Sequence, residues 1–142
     1  MPIPKTPLLA VDILVELQGK LVLIERKHEP LGWALPGGFV DIDEAPAHAA
    51  AREAKEETSL DIEVVAQLHA YGAPGRDPRG HCVSIAYVAR DLGTTPPRAA
   101  DDAKNLRTFA LDALPDLAFD HATIIADYVR WKTDATYPPA TR

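Results

Sequence analysis

Apolar and polar positions along the chain fall into a small number of regular stretches. Leu8 to Leu17 is an almost unbroken apolar run, and Lys20 to Arg26 repeats that character after Gln18-Gly19. Two such runs joined by a two-residue turn containing glycine predict a β-hairpin. Residues 2–7 are proline-rich and read as an extended lead-in. Arg26 to Gly32 is polar and turn-forming, and Trp33-Ala34-Leu35-Pro36 leads into Gly37-Gly38. From about Glu44 to Thr58 the pattern becomes helical, with Pro46 suited to the first turn and Ala47, Ala50, Ala51 and Ala54 allowing close approach to a sheet. Residues 61–71 predict a strand ending at Tyr71, 72–80 a loop, 82–90 an alternating strand, 93–100 a loop and 106–111 a short strand. Asp120 reads as the N-cap of a last helix whose inner side carries Ile124, Ile125, Tyr128, Val129 and Trp131, and 137–142 reads as a frayed tail. Strands before, between and after two helices, with no regular βαβ crossover, predict an α+β layered fold.

At 142 residues the chain reads as one domain, 1–142, long enough to bury about two-thirds of the surface of its unfolded form. Hydrophobic content of 46% and charged content of 25% are those of an ordinary globular protein. A net charge of −6 argues against general binding to nucleic acid or anionic membranes, which needs a basic field. No signal-peptide pattern and no apolar run of transmembrane length is present, so the expectation is a cytoplasmic protein. The single cysteine, Cys82, cannot form an intrachain disulfide, which agrees with a reducing compartment. His81 beside it would point to the opposite face of a strand, so Cys82 reads as a small packing residue rather than a nucleophile.

Candidate chemistry concentrates between Gly37 and Leu60. Glu53, Glu56 and Glu57 are spaced i, i+3 and i+4, which on a helix places them on one face within about 5–6 Å of each other. Such a cluster repels itself unless a cation sits among the oxygens, and hard oxygen ligands favour Mg²⁺ or Mn²⁺ over zinc. The plain alternative is a solvated acidic face with Arg52 and Glu56 as an ordinary i,i+4 pair. Gly37 and Gly38 let the backbone approach a ligand without a Cβ in the way.

Gly38, five residues, Glu44, seven residues, Arg52-Glu53, two residues, Glu56-Glu57 and then Leu60 resembles the signature of the Nudix hydrolases, which cleave nucleoside diphosphates linked to another group. One position departs from it: Ser59 stands where the family has a helix-closing glycine, which implies modest strain or a different helix end. The resemblance implies an α/β/α sandwich around a mixed sheet. It implies metal binding by Glu53, Glu56 and Glu57, with the Gly37 carbonyl completing a site, Arg52 orienting Glu56, and Glu44 bracing the loop. Gly38 would lie against substrate.

The loop Tyr71 to His81 holds Arg76 and Arg79 in an acidic protein, and arginine suits bidentate phosphate recognition. A solvated hairpin tip with Arg76 paired to Asp77 is the alternative. Pro74, about fifteen residues past the helix, resembles the mark of the small single-domain ADP-ribose pyrophosphatases, as do Asp101-Asp102-Ala103 and Leu117 to His121. By that resemblance Pro74, Arg76 and Arg79 bind substrate, Asp101 or Asp102 is an extra ligand or general base if not a turn cap, and ADP-ribose yields AMP and ribose 5-phosphate. His121 reads as structural. Two rivals remain: another Nudix specificity (an oxidised nucleoside triphosphate, NADH or a dinucleoside polyphosphate), and a sensing module that binds ADP-ribose without cleaving it. A homodimer is expected, both from the small relatives and because the apolar strand 8–17 reads as an edge needing cover.

Overall fold

Gln18 and Gly19 both adopt positive φ, 51° and 78°, the twist of a type I′ turn, and so fold strand β1 (Leu8–Leu17) back on β2 (Lys20–Arg26) as the pattern predicts. The computed structural model describes residues 2–99 and 103–142. After the hairpin come β3 (Gly32–Ala34), β4 (Gly37–Phe39), α1 (Pro46–Thr58), β5 (Ile62–Tyr71), β6 (Cys82–Asp91), β7 (Ala103–Phe109) and α2 (His121–Asp134). The sheet runs β3-β2-β1-β6-β5, with β4 added to β1 and β7 to β2. It is mixed: β1 and β6 are parallel from Leu8↔Cys82 to Val15↔Ala89, and the remaining pairs are antiparallel.

Alternation along the central strands sends side chains to two separate cores. Val11, Ile13 and Val15 of β1 join Val22, Tyr87 and Ala89 under α1, where Ala49, Ala50 and Ala54 are fully buried. Leu14, Leu21, Leu23, Ala86 and Val88 face the other way and pack beneath Ile124, Ile125 and Tyr128 of α2. A helix on each face of one mixed sheet is the expected sandwich. The alanine stripe is rotated from the expectation, since Ala47 is exposed and Ala49 takes the buried place. β1 is not an edge: β6 covers one side along its length, while β4 and β2 share the other. The argument that this strand needs a second subunit to cover it therefore fails. Near the C-terminal end, Arg142 pairs with the buried Asp127 at 3.0 Å, and Asp127 also accepts the Tyr71 hydroxyl at 2.9 Å, so the segment expected to fray has one fixed point.

α1 ends at Ser59 with φ 66°, and its N–H bonds to the Lys55 carbonyl at 3.0 Å. This is the left-handed cap that glycine would give, made with a residue that pays roughly 1–2 kcal/mol for the conformation. Ser59→Gly should therefore stabilise the protein by about 0.5–1 kcal/mol after the entropy of glycine is set against the relieved strain. Thermal unfolding should show Tm up by about 2–4 °C; a fall would mean the Ser59 side chain is doing something a glycine cannot.

Candidate active site

The entry to α1 is held by Glu44, just before the helix, and by Arg52, beyond its first turn. The N-cap is Ala45, which offers no side-chain bond, and Asp43 sits at φ 65°. Glu44 closes the loop by accepting the Asp41 N–H at 3.1 Å, and Arg52 forks onto the same carboxylate through Nε and Nη2, each at 2.8 Å. Nη2 also reaches the Phe39 carbonyl at 3.1 Å, and Nη1 lies 2.9 Å from Glu53 and 3.3 Å from Glu56. This fork, followed by the Asp41 amide, holds the Glu44 carboxyl well below the usual carboxylate range. Glu44 thus braces the loop, as expected. Arg52 serves Glu44 and Glu53 before Glu56.

Glu53 and Glu57 open onto a cavity of about 350 Å³. Glu56 does not line it: its side chain is 48% exposed on the solvent side of Arg52. The expected cluster of three acids is in the structure a facing pair with one outlier, because i and i+4 share a face more closely than i+3 does. Glu57 accepts the Gly37 N–H at 3.1 Å, and burial pushes its carboxyl up to about 8, with the neighbouring charges of Glu53 and Asp12 adding to the effect. Burial also raises Glu53, against the pull of Arg52. The glycines are required by space. A Cβ on Gly38 would stand 2.5 Å from the Glu53 carboxyl carbon, and one on Gly37 would stand 2.1 Å from the Val11 carbonyl oxygen.

A buried and a partly buried carboxylate with raised pKa values, set against bare glycine backbone, suit a hard divalent cation that would replace their protons. Among the described residues no three His, Cys, Asp or Glu side chains already converge on one point, so the fit is in charge and oxygen type rather than in a finished cage. Asp101 and Asp102, the expected extra ligand or base, lie outside the described residues.

The loop after β5 places its three candidate residues differently with respect to the cavity. Pro74-Gly75 forms a type II turn, with Gly75 at φ 86° and Arg76 N–H bonded to the Ala73 carbonyl, and Pro74 is exposed and away from the cavity lining. Pro74 shapes the loop and does not face the cavity. Arg76 turns inward, its side chain 5% exposed, and forks onto Asp120 at 2.6 and 2.9 Å. Its Nε and Nη2 are held by a protein carboxylate while the side chain still lines the cavity, and Asp120 makes no side-chain cap for α2. Arg79 pairs with Asp77 at 2.9 Å, lines the cavity, and stands 5.5 and 5.3 Å from the ring centres of Phe39 and Phe119.

Several lining residues went unread. Asp12 is 7% exposed on the cavity floor, with Ser84 Oγ donating to it at 2.5 Å and His121 Nε2 at 3.3 Å. Burial works to raise its pKa, but His121, the Ser84 hydroxyl and the charge of Arg76 together outweigh it and hold the carboxyl below its usual range. A charge in the middle of the apolar run 8–17 was the available signal. Phe119, at φ 55°, packs its ring under Arg26, 4.9 Å away, and Arg26, Lys27 and His28 line the cavity wall from the end of β2. Nothing in their spacing marks that placement, which comes from the fold.

A model of the NUDIX domain matches residues 6–131. The chain belongs to the Nudix family. It is 48% identical over 128 residues to an ADP-ribose pyrophosphatase of Methanocaldococcus jannaschii, covering 89% of this chain and 75% of that protein. A MutT/nudix family protein from Enterococcus faecalis has a matching crystal structure, with a TM-score of 0.81 at 32% identity over 99% of this chain and 68% of that one. The NUDIX domain of Shewanella oneidensis NrtR, complexed with ADP ribose, superposes with a TM-score of 0.74 at 30% identity, covering 91% and 90% of the two chains.

The raised Glu57 gives this Nudix domain a pH signature. In the metal-free protein the folded state holds a proton at Glu57 up to about pH 8, whereas the unfolded chain releases it near pH 4.3. The contribution of Glu57 is therefore complete below the unfolded value and is lost as pH rises through the folded one. Melting curves in EDTA should show Tm falling between pH 5 and 8, and Glu57→Gln should flatten that slope. An unchanged slope in the variant would remove Glu57 as its source.

Proposed function

We propose that this Nudix domain hydrolyses the pyrophosphate of ADP-ribose to AMP and ribose 5-phosphate with Mg²⁺ or Mn²⁺. The observation that carries the reading is the pairing of Glu53 and Glu57 on one wall of the cavity with Arg79, Phe39 and Phe119 on another. The 48% identity to an ADP-ribose pyrophosphatase supports the substrate. A bound divalent cation supplies Lewis-acid polarisation of the phosphoryl oxygens and a water of lowered pKa. In this reading Glu53 and Glu57 hold the cation, and Glu56 keeps Arg52 in place from the solvent side. Arg52 and the Gly37 amide fix the two carboxylates. Arg79 meets the negative diphosphate, and Arg76 acts indirectly by tying the loop to Asp120. Asp102 stays in the reading as a general base or extra ligand on the strength of the resemblance alone.

A second reading, binding of ADP-ribose without cleavage, takes its support from the likeness to the NrtR domain. The intact acid pair facing the cavity favours cleavage. A homodimer is supported only by the resemblance to small paired members, since β1 has neighbours on both sides. A cytoplasmic location is supported by the single cysteine, and no helix among the described residues is long and apolar enough to cross a membrane.

A panel of nucleoside diphosphate derivatives and triphosphates incubated with Mg²⁺ and separated by chromatography tests the reading. ADP-ribose should be consumed far faster than any triphosphate, with AMP as a product. Tight binding of ADP-ribose without product would favour the sensing module, and faster triphosphate cleavage would overturn the substrate. Arg79→Ala should lose a charge-assisted contact of roughly 1.5–3 kcal/mol, lowering kcat/KM by about tenfold to a hundredfold. Steady-state kinetics indistinguishable from the parent would show that Arg79 only decorates the loop.

A further inference from the structure

The run Leu117 to His121 is joined to the glycine loop at successive points. Leu117 bridges Trp33, the Ala118 N–H donates to the Trp33 carbonyl at 2.8 Å, and His121 Nδ1 accepts the Leu35 N–H at 3.0 Å. Ile13 N–H then takes the Pro36 carbonyl at 2.8 Å, and the Gly37 N–H goes to Glu57. Backbone from Trp33 to Gly37 is thus anchored residue by residue, and among these anchors His121 is the side chain that brings in α2. Accepting at Nδ1 leaves the ring proton on Nε2, which faces Asp12 Oδ1 at 3.3 Å. The same Asp12 oxygen lies 2.8 Å from where a Cβ of Gly37 would sit, so Asp12 backs the glycine directly. His121 is 3% exposed and its two nitrogens are matched to one donor and one acceptor. Nothing in that matching is needed merely to fill space.

We infer that His121 is a positioning residue for the Glu57 carboxylate. By accepting the Leu35 amide and donating to Asp12 it fixes the Leu35–Gly37 backbone, and through it the amide against which Glu57 rests. The inference rests on the reading of Glu57 as a cation-holding group; the ring does not touch substrate. A core histidine with no such role would affect stability alone. Groups that orient ligands in this way typically change metal affinity or activity by roughly 10–100-fold when removed.

The test compares the parent protein with His121→Ala, His121→Asn and His121→Gln. The measurements are Mg²⁺ affinity by calorimetry without substrate, kcat and KM for ADP-ribose, Tm in EDTA, and hydrogen exchange of the Gly37 amide. His121→Ala should weaken Mg²⁺ binding and lower kcat by roughly 10–100-fold, leave KM within about threefold, and speed exchange at Gly37. His121→Asn, which offers an oxygen to the Leu35 amide, should recover most of the exchange protection and part of the Mg²⁺ affinity. A lowered Tm with Mg²⁺ affinity, kcat and Gly37 exchange all near the parent values overturns the inference. Should the alanine variant not fold, the Asn and Gln variants decide: loss of Mg²⁺ affinity in Gln beyond that in Asn supports it, and parent-like affinity in both overturns it. Should the parent itself bind no Mg²⁺, the cation reading has failed, and Gly37 exchange alone decides whether His121 positions the loop.

Discussion

The Arg52 guanidinium is the interaction on which the rest of the site depends. It binds Glu44 through two nitrogens, reaches the Phe39 carbonyl at the end of β4, and touches Glu53 and Glu56 on its own helix. The helix has no side-chain N-cap, so the direction in which α1 leaves its entry loop is set by this fork. The planar group matters as much as its charge, since a lysine in its place would supply one point of contact where four partners wait. Fixing Glu44 and Phe39 also fixes the glycines of β4, and Gly38 brings bare backbone against Glu53.

Burial of like charge follows from that arrangement. Glu53 and Glu57 are held at the same cavity while α1 lies flat on the sheet through alanines too small to lift it away. The closeness that packs the helix is what removes water from the carboxylates and raises them. Structure and chemistry are coupled here: a looser helix would leave solvated acids with ordinary pKa values and less reason to take up a cation.

Most of the fold was legible because its signals are local. The Gln18-Gly19 turn, the apolar strands and the period of α1 each depend on neighbours in sequence, and the i,i+4 spacing brings Glu53 and Glu57 to one cavity. What sequence could not supply were partners far apart in the chain. Arg76 and Asp120 meet across 44 positions, and their pairing ties a cavity-lining arginine to the start of α2. Asp12 and His121 are separated further still, and neither reads as functional until β4 and α2 are placed beside β1. Glu56 lies off the cavity lining for a simpler reason, since spacing defines a helical face only to within a fraction of a turn.

The alternation of β1 between two cores sets the kind of change this lineage can absorb. Val11 and Ile13 belong to the α1 core, while Asp12, between them, turns toward His121 of α2. A single residue gained or lost within that strand would exchange the two sets, putting a carboxylate beneath the alanine helix and a valine against the imidazole. A change of length is better borne in a connecting loop, where backbone runs on the surface and no parity is at stake. The odd and even positions of one strand act as a reading frame, and the site stays assembled only while that frame is kept.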